Sequence, residues 1–126
     1  MTDQEQEWRE WSAGVMGLIA YTNPYSSDKY YYKKNKFSPN NHGDMDTDHA
    51  VCLKSDWTPD TDLNQCFMFV NRMRELGFRL QLDNFQGFDK SVWCAVFNDG
   101  LKDVAFQDFD DPCIAILLAG KATGVK

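Results

Sequence analysis

The sequence lacks a long hydrophobic run, a leader segment and an excess of basic residues. No stretch of its 126 residues approaches the about 20 consecutive apolar positions that a membrane-spanning helix needs. No signal peptide or lipid-attachment motif is present either. Thirteen Lys and Arg against nineteen Asp and Glu give a net charge of −6, which argues against a general nucleic-acid binder. We therefore expect a soluble, cytoplasmic protein with neither membrane nor general nucleic-acid partners.

Signatures of catalysis are also missing. The sequence contains no phosphate-cradling glycine loop, no nucleophile elbow and no paired cysteine spacing of a zinc site. The four cysteines lie far apart within apolar patterns, which predicts free, buried thiols rather than a disulfide framework: Cys52, Cys66, Cys94 and Cys113. We predict no catalytic residue and no cofactor, and hence a protein that binds stoichiometrically and is not an enzyme.

An acidic loop comes closest to a metal motif. His42 and His49 flank three aspartates at alternate positions, residues 44, 46 and 48. A calcium loop that starts at Asp44 needs glycine and glutamate where this sequence has His49 and Ser55. We therefore predict a solvated acidic loop with no metal site, and weak divalent-cation binding stays open as the alternative.

Three helices are marked by their capping residues. Thr2 and Glu5 form a capping box ahead of a leading helix that ends near residue 18. Asp62 and Gln65 predict a second box, followed by a helix over residues 63–76 whose core stripe is Leu63, Cys66, Phe67, Val70 and Met73. Asp111, followed by proline, starts the last helix.

Three strands are predicted between the second and third helices. Apolar and polar residues alternate over residues 78–83, and residues 92–97 are apolar throughout, which indicates a central strand with Trp93 buried. Asn98-Asp99-Gly100 predicts a tight turn into a third, antiparallel strand over residues 101–106. A longer turn over residues 84–90 connects the first two strands.

The predicted fold is α+β: a single-domain α/β/α sandwich over residues 1–126, with helices on both faces of a mainly antiparallel sheet. Residues 1–18 form the leading helix, 19–56 an irregular aromatic and acidic segment, and 57–122 a helix-strand-strand-strand-helix unit. The last helix is apolar on all sides, and Met68 and Phe69 lie off the main stripe of the second helix. We therefore predict a homo-oligomer.

The Tyr/Lys segment, residues 21–36, is the most unusual part of the chain. It holds all five tyrosines within twelve residues, interleaved with lysines. Tyrosine offers a stacking face and lysine a point charge for phosphate. We predict a ligand-binding site for a small nucleotide or an acidic protein surface, formed by Tyr30, Tyr31, Tyr32, Lys33, Lys34 and Lys36. The alternative, compatible with the first, is an edge strand protected by lysines.

The order of several motifs resembles a known family of small proteins from phages and prophages, the phage ABA-sandwich family. The matching motifs are Val15-Met16-Gly17, Phe37-Ser38-Pro39, Trp57-Thr58-Pro59, residues 73–78 and residues 112–116. The resemblance implies a phage accessory protein in the host cytoplasm, with a counter-defence role. Such a protein could sequester a small nucleotide signal. Two alternatives stay open: direct inhibition of a host or defence protein, in the manner of an anti-CRISPR protein, and a structural or regulatory phage role.

Overall fold

The computed structural model describes residues 2–25, 27–86 and 91–125. The helices there are α1 (Asp3–Val15), α2 (Leu63–Glu75) and α3 (Pro112–Ala122). The strands there are β1 (Leu18–Thr22), β2 (Lys29–Lys33), β3 (Cys52–Leu53), β4 (Arg79–Gln86), β5 (Ser91–Asn98) and β6 (Asp103–Phe109). The predicted α+β class is confirmed.

The strands form two antiparallel sheets of three, in the orders β1-β2-β3 and β4-β5-β6. β5 is the middle strand of the larger sheet, as its apolar run predicts. The turn from β5 to β6 is also confirmed: Gly100 has a φ of 95°, and its amide donates to Asn98 Oδ1 at 2.7 Å. The predicted turn between β4 and β5 began too early, because residues 84–86 belong to β4 and pair with β5; residues 87–90 lie outside the described residues.

The smaller sheet corrects the prediction that residues 19–56 are irregular. β1 and β2 pair over five residues, whereas β3 adds only the two residues Cys52 and Leu53. A two-residue strand has no detectable alternation, because period two needs at least four residues to be recognised. This strand forms through its pairing with β2, a non-local contact that the local pattern does not contain.

Two of the three predicted caps are confirmed in full. The Thr2 hydroxyl accepts the amide of Glu5 at 3.1 Å while Glu5 accepts the Thr2 amide, and Asp111 accepts two amides at the start of α3. Asp62 accepts the amide of Gln65 at 3.1 Å, but the side chain of Gln65 does not accept the backbone amide of Asp62, so the capping box is incomplete. Its side chain instead bonds backbone groups of residues 56 and 58, which ties α2 to the preceding turn.

The predicted core stripe of α2 is rotated in the structure. Cys66 and Met73 are fully buried as predicted, together with Phe69, which the prediction placed off the stripe. Leu63 and Phe67 are 49% and 45% exposed, so their placement in the core was wrong. Apolar residues occur on more than one side of this helix, and periodicity alone does not select the side that packs.

The main core lies between the larger sheet and the pair α2 and α3. Phe69 of α2 and Ile116 of α3 pack with Phe97 of β5 in one cluster, to which Trp93 adds a partly buried side chain and not the fully buried one predicted. The apolar character of α3 on all sides is explained by burial within the chain, since six of its eleven residues are buried. It therefore gives no support to the predicted homo-oligomer, which stays a prediction.

The two faces of the larger sheet differ along β4. Leu80 and Leu82 pack toward the core, whereas the alternate residues Arg79, Gln81, Asp83 and Phe85 are exposed. α2 contacts β4, and α3 contacts β5 and β6, on the packed face. A helical layer on the opposite face, which the predicted sandwich requires, is not confirmed.

Helix α1 joins the two sheets. Trp8 and Val15 belong to the main core, whereas Ala13 packs with Leu18, Tyr31 and Trp57 in a second cluster against the smaller sheet. The indole of Trp57 donates to the backbone carbonyl of residue 9 and to the hydroxyl of residue 12, at 3.2 and 3.0 Å. These contacts hold the segment before α2 against α1, and the candidate site forms beside them.

Candidate ligand-binding pockets at the two ends of strand β2

The Tyr/Lys segment contains the middle strand of the smaller sheet, and not an edge strand. β2 pairs with β1 along its whole length, and with β3 at Tyr30 and Tyr31. The alternative of a lysine-protected edge strand was therefore wrong. The sequence could not reveal this, because the second neighbour of β2, the two-residue strand β3, has no recognisable pattern. The predicted lysines, Lys33, Lys34 and Lys36, are exposed.

The three predicted tyrosines are covered to different degrees. Tyr30 is half-buried, whereas Tyr31 is 5% and Tyr32 1% exposed. Tyr32 packs with Phe37, with ring centroids 6.0 Å apart. Burial raises the pKa of both Tyr31 and Tyr32 above the ordinary range. Most of each buried ring is thus covered by protein, and Tyr31 alone of the three lines one of the two pockets described below.

The first pocket, here the α1–β2 pocket, opens where α1 passes the start of β2. Its volume is about 400 Å³, within the 300–1,000 Å³ typical of small-molecule sites. Tyr31 and Leu53 supply apolar surface, and charged groups come from three separate parts of the chain. The residues that define its chemistry are Arg9, Glu10, Lys29, Tyr31, Leu53 and Lys54.

Arg9 is held in this pocket by a paired carboxylate. Its Nε donates to Asp60 Oδ1 at 2.8 Å and a terminal nitrogen donates to Asp60 Oδ2 at 3.1 Å, which is a bidentate geometry. The Asp60 side chain is only 2% exposed, and that of Arg9 is 20% exposed. The hydrogen bond to Asp60 raises the pKa of Arg9 above its ordinary value. The guanidinium is thereby fixed in position at the pocket wall.

The remaining charges of the pocket are mixed, two cations and two anions. Lys54 Nζ forms an ion pair with a carboxylate oxygen of Glu10 at 3.8 Å. Lys29 and Asp28 add one charge of each sign from the residues just before and at the start of β2. Together with Arg9, the lining holds three cations and two carboxylates, and the Asp60 carboxylate that pairs with Arg9 balances the third cation. The pocket thus offers a ligand both apolar surface and cationic groups.

A second pocket, here the α1–α2 pocket, lies at the other end of β2. Its volume is about 530 Å³, and Lys33 and Lys34 line it together with Met68 and Arg72 of α2. Arg72 Nε donates to the backbone carbonyl of Val15 at 2.9 Å, which secures the end of α1 to α2. Lys29 and Lys33 are four residues apart in an extended strand, so the two pockets are separated by about 13 Å. The six predicted residues are therefore not brought together in one site.

Sequence reasoning did not find Arg9 and Asp60 as site residues. They are 51 positions apart and meet only because Trp57 docks the segment before α2 onto α1. Asp60 directly follows the Trp57-Thr58-Pro59 motif and precedes the predicted cap at Asp62, but nothing in the sequence indicates a partner for its carboxylate. Lys54 follows the two-residue strand β3, which was missed as well.

Neither the acidic loop nor any cysteine is among the described residues that line the two pockets. The loop is anchored by the side chain of Asn23. Its Nδ2 donates to the backbone carbonyl of Met45 at 3.0 Å, and its Oδ1 accepts the backbone amide of Met45 at 2.7 Å. In the part of the chain that the structure describes, no group of three His, Cys, Asp or Glu side chains could hold a metal ion.

All four cysteines are free; Cys52 is half-buried and the others are buried. Burial raises the pKa of the Cys66 and Cys113 thiols, which disfavours the reactive thiolate.

Comparisons with family models, with curated proteins and with solved structures found no match. The resemblance to the phage ABA-sandwich family therefore stays a prediction. Within the described residues, none of the helices combines the length and the apolar content that crossing a membrane requires.

Proposed function

We propose that this protein binds a small anionic ligand of the nucleotide class stoichiometrically, in the α1–β2 pocket. The observation that carries the proposal is the fixed guanidinium of Arg9 beside Lys29 and Lys54, around a pocket of about 400 Å³ with Tyr31 in its wall. A positioned guanidinium and two lysines suit a phosphate, and the apolar surface of Tyr31 and Leu53 suits a base.

The electrostatic contrast supports an anionic ligand. The protein as a whole repels anions at a net charge of −6, whereas this pocket brings three cations together, accompanied by Glu10, Asp28 and the Asp60 partner of Arg9. Partial enclosure makes charge interactions stronger than they are at an open surface. Binding without turnover is proposed because the positioned groups that the described residues bring to this pocket are cations, which bind an anion without themselves reacting with it.

The wider role that we propose rests on the resemblance alone. It is that of a phage accessory protein that acts in the host cytoplasm and blunts host defence by sequestering a nucleotide signal. A protein that removes a signal in this way must bind tightly and be made in amounts comparable to its ligand, since it acts once per molecule.

Isothermal titration calorimetry against a panel of mono-, di- and cyclic nucleotides tests the pocket. We expect heat with at least one nucleotide, and a loss of about tenfold or more in affinity for Lys29→Glu and for Lys54→Glu. Lys102→Glu makes the same charge change in the exposed turn between β5 and β6, and should leave binding intact. Lys33→Glu with Lys34→Glu tests the residues predicted from the sequence. If this variant alone abolished binding, the ligand would lie in the α1–α2 pocket.

A second candidate function is direct inhibition of a protein partner. Exposed apolar side chains on α2 favour it: Leu63 is 49%, Phe67 45% and Met68 38% exposed. Apolar groups that are adjacent on an exposed helix face are a common feature of protein interaction sites. In that case no nucleotide would give heat, and the protein would elute in size-exclusion chromatography as a complex with its target.

A further inference from the structure

The outward side of α2 carries an apolar strip that the fold of this chain leaves uncovered. Leu63 and Phe67 are one turn apart on the same side of the helix, and Met68 lies about 100° further round on its exposed half. The opposite side of the helix is buried in the main core by Phe69 and Met73. We call the three exposed residues the α2 strip.

Basic groups lie next to this strip, at the C-terminal half of the same helix. Lys33 and Lys34 are exposed and line the α1–α2 pocket with Arg72 and Met68, which belongs to both the pocket and the strip. Glu75 is the one carboxylate among the described lining residues, and it is engaged by Arg72 at 3.0 Å. The side chain of Arg72 remains 35% exposed. An acidic protein thus presents a basic pocket beside an apolar strip.

We infer that the α2 strip and the α1–α2 pocket together form a docking surface for an acidic, amphipathic polypeptide segment. The inference deepens the second candidate function by naming the surface and the chemistry of its partner. Apolar side chains of the segment would cover Leu63, Phe67 and Met68, while its carboxylates would reach Lys33 and Lys34. Phe67 and Arg72 are separated by about 8 Å along the axis of α2, so in a helical segment that runs parallel to α2 the carboxylates should follow the apolar residues by one to two turns.

Charge selects this partner over the other occupants of such a surface. A second copy whose twofold axis passed through the basic pocket would bring Lys33, Lys34 and Arg72 against their own equivalents, which like-charge repulsion opposes. A twofold axis through Leu63 and Phe67 is tested below by the oligomeric state. A nucleic acid would use the cations but would leave Leu63 and Phe67 exposed to water, and the overall charge of −6 repels it.

Fluorescence anisotropy with synthetic peptides tests the inference on the full-length protein. The probe is a fluorescein-labelled helical peptide with leucines at positions i and i+4 and glutamates one to two turns later. A matched peptide carries lysine in place of each glutamate. We expect the glutamate peptide to bind, its affinity to fall with added salt, and the lysine peptide to bind at least about tenfold more weakly.

Protein variants locate the binding surface. Phe67→Ser with Met68→Ser, and separately Lys33→Glu with Lys34→Glu, should each weaken the glutamate peptide about tenfold or more. The turn between β5 and β6 offers matched controls: Leu101, 94% exposed, changed to serine, and the neighbouring Lys102 changed to glutamate. Both controls should bind as the unaltered protein does. Circular dichroism confirms that each variant is folded, and the salt titration requires no variant.

Three results would overturn the inference: equal binding of the two peptides, surface variants that bind as the controls do, or a dimer in sedimentation velocity that Phe67→Ser converts to a monomer. The last result would mean that a second copy covers the α2 strip. Lys29→Glu, which tests the α1–β2 pocket, should leave peptide binding unchanged, so failure of the nucleotide proposal and failure of this inference are separate outcomes.

Discussion

Replacing Gly120 with alanine is expected to destabilise the protein, although alanine is normally the better helix residue by about 1 kcal/mol. Gly120 lies within α3 and faces α1 and α2. A Cβ atom at this position would be 2.7 Å from Cζ and 2.9 Å from Cε1 of Phe69, and 3.3 Å from Cη2 of Trp11. Carbon atoms pack favourably at about 3.5–4.0 Å, so the Phe69 ring would have to move.

The Phe69 ring has little room to move. It is fully buried, and its centroid lies 5.4 Å from that of Trp11. Trp11 is itself held by a hydrogen bond from Nε1 to the backbone carbonyl of Val125 at 3.1 Å. Overpacking of this kind typically costs about 1–3 kcal/mol, and the helix preference of alanine offsets up to about 1 kcal/mol. We expect a net loss of about 1–2 kcal/mol in the free energy of unfolding.

Gly14 provides the matched control, because it is exposed in α1 and a Cβ there would meet no atom within 4 Å. Gly14→Ala should raise stability by about 0.5–1 kcal/mol. Urea unfolding followed by tryptophan fluorescence measures both changes, with the slope of the transition expected to stay constant. In a Phe69→Leu background the cost of Gly120→Ala should fall, since the clashing ring is gone. An increase in stability for Gly120→Ala equal to that of Gly14→Ala would refute the reasoning.

Three further predictions concern polar groups. Arg9→Ala leaves the buried carboxylate of Asp60 unpaired and should lower the free energy of unfolding in urea by about 2–3 kcal/mol. Breaking a fully buried ion pair costs about 3–5 kcal/mol, and the cost is smaller here because Arg9 is partly exposed. A cost under about 0.5 kcal/mol would contradict the pairing. Tyr32→Phe removes a buried hydroxyl that bonds no described residue and should be neutral or stabilising, whereas Tyr21→Phe loses a bond to the backbone carbonyl of residue 43 and should cost about 1 kcal/mol. Burial raises the pKa of Tyr32 and of the Cys66 thiol, so the unfolded chain loses these protons first. Stability should therefore be full below about pH 8.5 and fall as the pH rises toward the folded pKa values, and urea midpoints in reductant that stay constant to pH 11 would contradict this.

The elements that sequence analysis recovered are those with local chemical signals. Thr2 and Asp111 cap their helices through bonds that span two or three residues. Gly100 supplies the positive φ of the turn between β5 and β6, and its neighbours provide the side-chain acceptors. Interactions this short are encoded in adjacent residues, so their presence can be read without knowledge of the fold.

The candidate site was recovered only in part. The Tyr/Lys segment does contribute Tyr31 to one pocket and Lys33 and Lys34 to the other, but the sequence offered no sign that β2 separates them. Tyr32 was predicted to stack on a ligand, and its ring is instead covered by the chain itself. An aromatic residue in a strand suits either a core or a binding face, and the choice depends on what packs above it.

The amino-acid sequence by itself determined where the helices begin, which strand lies in the middle of the larger sheet, and the α+β class, because caps, turns and hydrophobic periodicity act over a few residues. The tertiary structure alone decided which side of α2 is buried, that a two-residue strand completes the smaller sheet, and that Arg9 meets Asp60 beside Lys29 and Lys54. These outcomes depend on contacts between residues up to 51 positions apart, whose energies favour one packing of the whole chain and leave no local pattern.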